Sequence, residues 1–343
     1  MRYSKFVKPG DTLGFIAPSM GCNVEPYNSA LKNALKRFTE RGYKLDLGEN
    51  CFEGSGIGIS NTPEKCAEEV MDHFTGDTDD MIFSCGGGEL MCETISHVDF
   101  DKLAASEPKW FTGYSDNTNL IFLLATLCDT AALYGPCAPA YGMEPWHKCL
   151  HDAMDVLEGK RLSFDSYDKW QLIGLKDEEH PLLPYNCTEP NEPKAWNGDF
   201  INSLQMSGRL IGGCMDCLVN LTGTRFDKVS DFLERYKDDG FIWFLESCDL
   251  NVFSMRRAMW QMYEAGWFKY CKGFLFGRPM HFDEPMFGLD RFGALLDIAA
   301  KLSVPAIMDA DLGHMPPAMP IICGSIGHIG FADSRLRLDM ELR

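Results

Sequence analysis

Between Thr12 and Leu127 short runs dominated by apolar residues alternate with longer segments whose apolar residues recur at helical spacing, and this alternation restricts the fold more than any other feature. "TLGFIAPS" is an apolar run stopped by Pro18 and Ser19, the pattern of a buried strand leaving its sheet into a loop. In "NSALKNALKRFTERGY", Leu31, Ala34, Leu35 and Phe38 share one helical face, and Gly42 closes the helix. "YKLDL" reads as a second strand. In "NTPEKCAEEVMDHF", Thr62 is placed to cap, Pro63 suits the first helical position, and Ala67, Val70, Met71 and Phe74 form one face. "DMIFSCGGG" is a third strand running into glycines, and "KWFTGY" a fourth that leads into the apolar helix "NTNLIFLLATL". Helical crossovers between such strands cover both faces of a parallel sheet, so the expected fold class is α/β.

Open parallel sheets build their sites at the carboxyl ends of the strands, and Ser115, in "GYSD", stands at such an end. Two readings follow. A tight strand-to-helix turn can project the hydroxyl outward with a helix N-terminus behind it, or Ser115 can cap that helix. A serine is a weak nucleophile until a base takes its proton, so the first reading requires a histidine and a carboxylate. His314 offers itself in "DADLGHMPPAMPIICG", a glycine-preceded loop after the apolar strand "VPAIM"; His328 in "GSIGHIGF" is the rival, but its alternating apolar neighbours suggest a strand position. Glu246 ends the strongly apolar "GFIWFLES", where a charge either faces the surface or needs a partner. Gly86, Gly87 and Gly88 let backbone N–H groups approach a developing oxyanion. A phosphate cradle is the other use of such a turn, but "GGGELMCE" lacks both the dinucleotide-binding spacing and the lysine and hydroxyl of a phosphate loop.

Composition removes several classes. Hydrophobic residues make up 45% of the chain and aromatics 12%, enough for a compact core and against disorder. Fifty acidic side chains against 32 basic ones give a formal charge of -18, which repels nucleic acid and anionic membranes. No stretch has the uninterrupted apolar length of a membrane span, and "MRYSKFVKPGDTLGFIAPS" lacks the apolar core of a secretory signal, so a cytoplasmic location is expected. The 14 cysteines are scattered, as reduced thiols are. Cys214 and Cys217 in "CMDC" have redox or metal spacing but no second pair and no nearby histidine, and read as buried thiols. The 343 residues suffice for two domains: residues 1–165, a crossover over 166–200 rich in proline, acids and tryptophan that is a candidate lid, and residues 201–343.

Taken in order, "GDTLGFIAPS", a Gly-Gly strand end followed by "GYSDNT", "LIGGCMDCLVNLTGT", "FLES" and "DLGHMPPAMPIICG" resemble the serine LD-carboxypeptidase family, which includes murein tetrapeptide carboxypeptidases and the microcin C immunity peptidase. The resemblance covers nearly the whole chain. It implies a Rossmann-like parallel-sheet N-terminal domain carrying the nucleophile, plus a smaller mixed α/β C-terminal domain, with catalysis at their interface. It further implies Ser115 as nucleophile, Glu246 as orienting carboxylate, His314 as base, and the backbone of Gly87 and Asp116 as oxyanion donors. A homodimer without metal or other cofactor is implied as well. Cys85 and Gly88 depart from the arginine and aromatic that flank the paired glycines in many murein-type relatives, and "GGCMDCL" looks closer to the immunity branch.

The expected activity is amide hydrolysis through an acyl-enzyme, releasing terminal D-alanine from a murein tetrapeptide. Hydrolysis of an aminoacyl nucleotide analogue is the alternative, with Trp196 as a stacking platform for the base. A carboxypeptidase must hold a carboxylate, for which Arg209 and Arg278 are candidates. The expected partner is a small peptide or muropeptide, with no nucleic acid and no membrane. Two other classes stay open. A metal hydrolase would recruit Asp309, Asp311 and His314, and a noncatalytic binding protein would use Ser115 as a helix cap.

Overall fold

The computed structural model describes residues 1–343, which divide into two compact units. The first comprises Met1–Arg161, Ile173–Asn186 and Pro320–Ile322; the second comprises Leu162–Leu172, Cys187–Met319 and Cys323–Arg343.

In the first unit the apolar runs become β1 (Thr12–Ile16), β2 (Lys44–Leu47), β3 (Met81–Ser84), β4 (Trp110–Gly113) and β5 (Ala132–Tyr134). These five pair in parallel, and with the strand Ile321–Cys323 they form a six-stranded sheet in the order Ile321–Cys323, β5, β4, β3, β1, β2. The helix Tyr27–Glu40 buries Ala30, Leu31, Ala34 and Phe38, while Leu35 is only half-buried. In the helix Pro63–Thr75, Thr62 caps by accepting a hydrogen bond from Lys65 N, and the face of Ala67, Val70 and Phe74 is buried. Met71, expected on that face, is half-buried; its place is taken by Glu69, whose carboxylate accepts from Ala17 N at 2.7 Å and Asn50 N at 2.8 Å. Phe15, Phe38 and Phe83 pack with ring centroids 5.0 to 5.9 Å apart and knit the first helix to β1 and β3.

The second unit is mixed. Its strands are β6 (Ser163–Asp165), the small hairpin of β7 (Lys169–Trp170) and β8 (Glu189–Pro190), β9 (Lys194–Trp196), β10 (Phe200–Ile201), β11 (Ser203–Cys214), β12 (Phe241–Glu246), β13 (Cys271–Gly277) and β14 (Ala306–Ala310). Ile321–Cys323 is β15 in chain order, and β16 (Ile326–Ala332) and β17 (Arg335–Glu341) complete the set. The nine-stranded sheet runs β10-β9-β14-β13-β12-β11-β16-β17-β6, parallel from β14 to β11 and antiparallel on both flanks. This parallel centre has the same logic as the first unit: its strands are almost wholly buried and read as continuous apolar runs. Residues 166–200 are not one crossover segment, because 173–186 belong to the first unit while β8, β9 and β10 form within the second. No helix is long and apolar enough to cross a membrane.

Candidate active site

Ser115 belongs to the first unit, just beyond β4, and its φ is 63°, in the left-handed region where a side chain with a Cβ is strained. Such a turn is the geometry that lifts a serine hydroxyl off the end of a sheet. Capping does not account for it. The short 3-10 turn Ser115–Asn117 is preceded by Tyr114, the helix Thr118–Thr126 starts from Asn117, and neither start has a side-chain cap. Neighbouring groups hold the corner in place. Ser115 N donates to Tyr134 Oη at 3.3 Å, and Asn117 Nδ2 donates to Gly86 O at 2.7 Å and Tyr114 O at 3.0 Å. The Asp116 carboxylate accepts from Ser19 Oγ at 2.5 Å, Met91 N at 2.9 Å and Asn119 Nδ2 at 2.9 Å.

Gly87 shows how closely the glycine turn approaches this corner. A methyl group there would lie 3.0 Å from Ser115 Cβ, 3.1 Å from Ser115 Oγ and 3.9 Å from Asp116 N. The backbone of Gly87, the serine hydroxyl and the amide after it therefore share one small volume, as an oxyanion site beside a nucleophile requires.

Glu246 and His314 belong to the second unit. Glu246 ends β12 and is 1% exposed, and its Oε2 lies 2.8 Å from His314 Nδ1. The partner that a buried charge at a strand end needs is thus the imidazole. Gly313 makes the approach possible, since its φ is +93° and a Cβ there would stand 2.5 Å from Glu246 Oε2. With Nδ1 facing the carboxylate, Nε2 is the nitrogen through which the ring can exchange a proton with a reacting group. His328 lies exposed on β16, bonded to Ser207 Oγ at 2.8 Å.

Burial works to lower the His314 pKa, but the Glu246 charge and hydrogen bonds to Cys248 and Glu246 outweigh it and hold the imidazole at about 11. The sign follows from linkage. A folded-state pKa above the unfolded value stabilises the fold fully below the unfolded pKa, and that contribution is lost as pH rises through the folded one. An imidazole so held carries its proton at neutral pH. Hydrolysis using it as base is therefore expected to gain kcat/KM steadily from pH 7 into the alkaline range, while thermal stability declines. A pH-rate profile that levels off near pH 7, as for an ordinary histidine with a pKa of about 6.5, contradicts this.

Three candidate substrate contacts are corrected. Arg209 is 2% exposed and interior: it bonds Asp239 Oδ2 at 2.5 Å and the Arg343 carbonyl at 3.2 Å, and its guanidinium lies 3.9 Å from the Tyr236 ring centroid. In register it faces Phe241 at the start of β12, whereas Glu246 faces Cys214, so Arg209 lies at the far end of the sheet, about 17 Å along β11 at some 3.3 Å per residue. Trp196 pairs with Ala306 at the start of β14, again at the end opposite the loop carrying His314. Arg278 does follow the correct end of β13, but it is 3% exposed, bonds Asn191 Oδ1 at 2.8 Å and Asp309 O at 3.2 Å, and packs over Trp170. An arginine packed inside the unit is no open anchor for a carboxylate.

The metal alternative of Asp309, Asp311 and His314 meets a similar obstacle. Both Asp309 oxygens are taken by Arg291, at 2.9 and 2.8 Å, and Asp311 Oδ2 accepts from Tyr167 N and Asn191 Nδ2, each at 2.8 Å. Burial pushes the Asp311 carboxyl up to about 7. Tyr134 behind Ser115 leaves no local signal in the sequence, and Cys214, read there as a buried thiol, is buried but stands opposite Glu246 in the parallel register, a neighbour that its own stretch does not show. None of the 14 cysteines forms a disulfide.

Similarity to known proteins follows the same two-part division. A family model of the LD-carboxypeptidase N-terminal domain matches residues 13–135, and one of the LD-carboxypeptidase C-terminal domain matches residues 207–329. The chain is 22% identical to the microcin C7 self-immunity protein MccF of Escherichia coli, over 92% of this chain and 89% of that protein. In fold it is similar to MccF solved in complex with aspartyl sulfamoyl adenosine, with TM-score 0.82, 19% identity, and coverage of 99% of this chain and 98% of that one. A muramoyltetrapeptide carboxypeptidase from Oxalobacter formigenes is also similar, with TM-score 0.70, 20% identity, and coverage of 96% and 99%. With both domain models matched in order along it, the chain belongs to the serine LD-carboxypeptidase family and is a serine hydrolase.

Proposed function

We propose that Ser115, Glu246 and His314 act together as one catalytic triad that hydrolyses an acyl–nitrogen bond, and that the substrate is a murein tetrapeptide losing its terminal D-alanine. The observation that carries the reading is the strained Ser115 corner with Gly87 against its hydroxyl, a geometry with no use as a helix cap. His314 Nε2 takes the Ser115 hydroxyl proton as Oγ bonds to the carbonyl carbon, and the backbone N–H groups of Gly87 and Asp116 hold the resulting oxyanion. Collapse of the tetrahedral intermediate breaks the carbon–nitrogen bond. The leaving amine takes the proton from His314, and water, deprotonated by the same nitrogen, then releases the acid and restores Ser115. Glu246 keeps Nδ1 as the donating nitrogen and stabilises the imidazolium. The enzyme is proposed to be cytoplasmic and homodimeric, where recycled wall fragments supply such peptides.

One observation favours a second reading: the structural likeness is greater to MccF bound to aspartyl sulfamoyl adenosine than to the muramoyltetrapeptide carboxypeptidase, with TM-scores of 0.82 and 0.70. The bond cut is again acyl–nitrogen, so the same groups serve. The two substrates are separated by mass spectrometry of a single incubation containing both, with wild-type protein and Ser115→Ala in parallel. Serine-dependent loss of D-alanine is the expected result; cleavage of the aminoacyl sulfamoyl adenosine alone overturns the murein assignment and establishes the second.

A further inference from the structure

Two thiols crowd the His314–Glu246 pair, and the proposed hydrolysis uses neither. Cys214 ends β11 directly opposite Glu246 in the parallel register. Its Sγ, a Glu246 carboxylate oxygen and a His314 ring nitrogen all lie within 4.8 Å of one another. Cys248, two residues beyond Glu246, donates its Sγ to Met280 Sδ at 3.6 Å and helps to raise the His314 pKa. Three donors of three kinds, a sulfur, an imidazole nitrogen and a carboxylate oxygen, thus converge from the ends of two neighbouring strands and the loop after β14.

Their positions are braced. Asp216, in the first turn of the helix Met215–Leu221, accepts from Cys214 Sγ at 3.4 Å and from Cys248 N at 3.2 Å on one oxygen, and from Asp249 N at 2.8 Å on the other. One carboxylate therefore ties both cysteine-bearing segments together. Cys214 and Glu246 are buried, whereas Cys248 and His314 are half-buried, which leaves the latter two as the entry side.

We propose that Cys214, Glu246 and His314 form a zinc site, with water as the fourth ligand, and that Zn2+ bound there switches the hydrolase off. Sulfur with imidazole and carboxylate is the donor set that zinc takes in four-coordinate sites, with bonds of about 2.0 to 2.3 Å, and magnesium or calcium prefer all-oxygen shells. Coordination forms one Zn–S bond, one Zn–N bond and one Zn–O bond to the protein, and a water already on the ion keeps the fourth position. The thiol, and the ring nitrogen if protonated, releases its proton to solvent. The ion then occupies the imidazole and carboxylate that activate Ser115, so the inhibitory half rests on the proposed triad while the binding half does not.

The test uses Co2+ as probe on the full-length protein after treatment with chelator. A thiolate-to-cobalt charge-transfer band, saturating at one ion per chain and displaced by Zn2+, is expected in wild type and equally in Ser115→Ala, which keeps all three donors. The band is expected to vanish in Cys214→Ser, which removes the one sulfur donor, and to persist in Cys248→Ser. Circular dichroism checks folding, and His314→Ala replaces Cys214→Ser if the latter fails to fold. A carboxylate and histidine site elsewhere, such as the grouping of Asp46, His73 and Asp79, produces no thiolate band and cannot mimic the result. Absence of the band in wild type, or its persistence in Cys214→Ser and His314→Ala, overturns the site. Stoichiometric Zn2+ should also abolish hydrolysis of the preferred substrate; full activity with the ion bound overturns the switch. Loss of the triad reading alone would show as a Ser115→Ala variant that still turns over, with the cobalt result unaffected.

Discussion

Ser115→Ala is expected to lower turnover by roughly 10³-fold or more, because triad members act as a unit and alanine offers no atom to carry the acyl group. What remains is attack by water with the oxyanion donors still in place. The substitution should not unfold the protein. Alanine keeps the Cβ that the turn already accommodates at φ 63°, and the corner is held by Asn117, Asp116 and the Ser115 backbone amide, none of which depends on the hydroxyl. A change in stability within about 1 kcal/mol is expected. Steady-state turnover measured alongside a thermal melt separates the two effects, and a folded variant with wild-type turnover sinks the nucleophile assignment.

Glu246→Gln should cost about 10²- to 10⁴-fold, almost all of it in kcat. Glutamine fills the same space, so the strand end keeps its packing, but its amide cannot stabilise an imidazolium and can present a donor to Nδ1, which favours the wrong tautomer. The same variant removes the charge that raises the His314 pKa. Its remaining activity should therefore reach a plateau at lower pH than that of wild type, and its stability should decline less between pH 7 and 10. A variant with reduced kcat but an unaltered pH profile would mean that Glu246 is not what holds the imidazole proton.

The alternation of apolar runs and helical faces made the first sheet legible, because burial on both faces leaves a strand few polar positions: β3 and β4 carry one small hydroxyl each, Ser84 and Thr112. Thr62 and Pro63 were readable as a helix start because capping is local chemistry. The Ser115 corner was placed by the same logic, but its choice between cap and exposed hydroxyl depends on a backbone angle, which sequence does not display. Other features depend on residues far apart in the chain. Arg209 looks like a cation available to substrate until Asp239 and two carbonyls, those of Gly324 and Arg343, are brought around it by the fold. Trp196 reads as a loop aromatic, yet "KAW" pairs with β14 and acquires its position from that register. The strand Ile321–Cys323 lies at the edge of the first sheet, next to β5, an arrangement that periodicity cannot encode. In "CMDC" the eye goes to the spacing between the two cysteines, whereas the consequential neighbour of Cys214 is Glu246 on the adjacent strand.

We propose that Ser115, carried by one compact unit, and His314, carried by the other, work as one catalytic device. This joint action is tested most directly by measuring kcat for Ser115→Ala, His314→Ala and the double variant on whichever substrate wild type cleaves. If they work as one unit, either single substitution removes nearly all of the advantage and the double variant is no slower than the slower single, within about threefold. Losses that multiply, so that the double variant falls by the product of the two single effects, would show that Ser115 and His314 act independently and overturn the shared device.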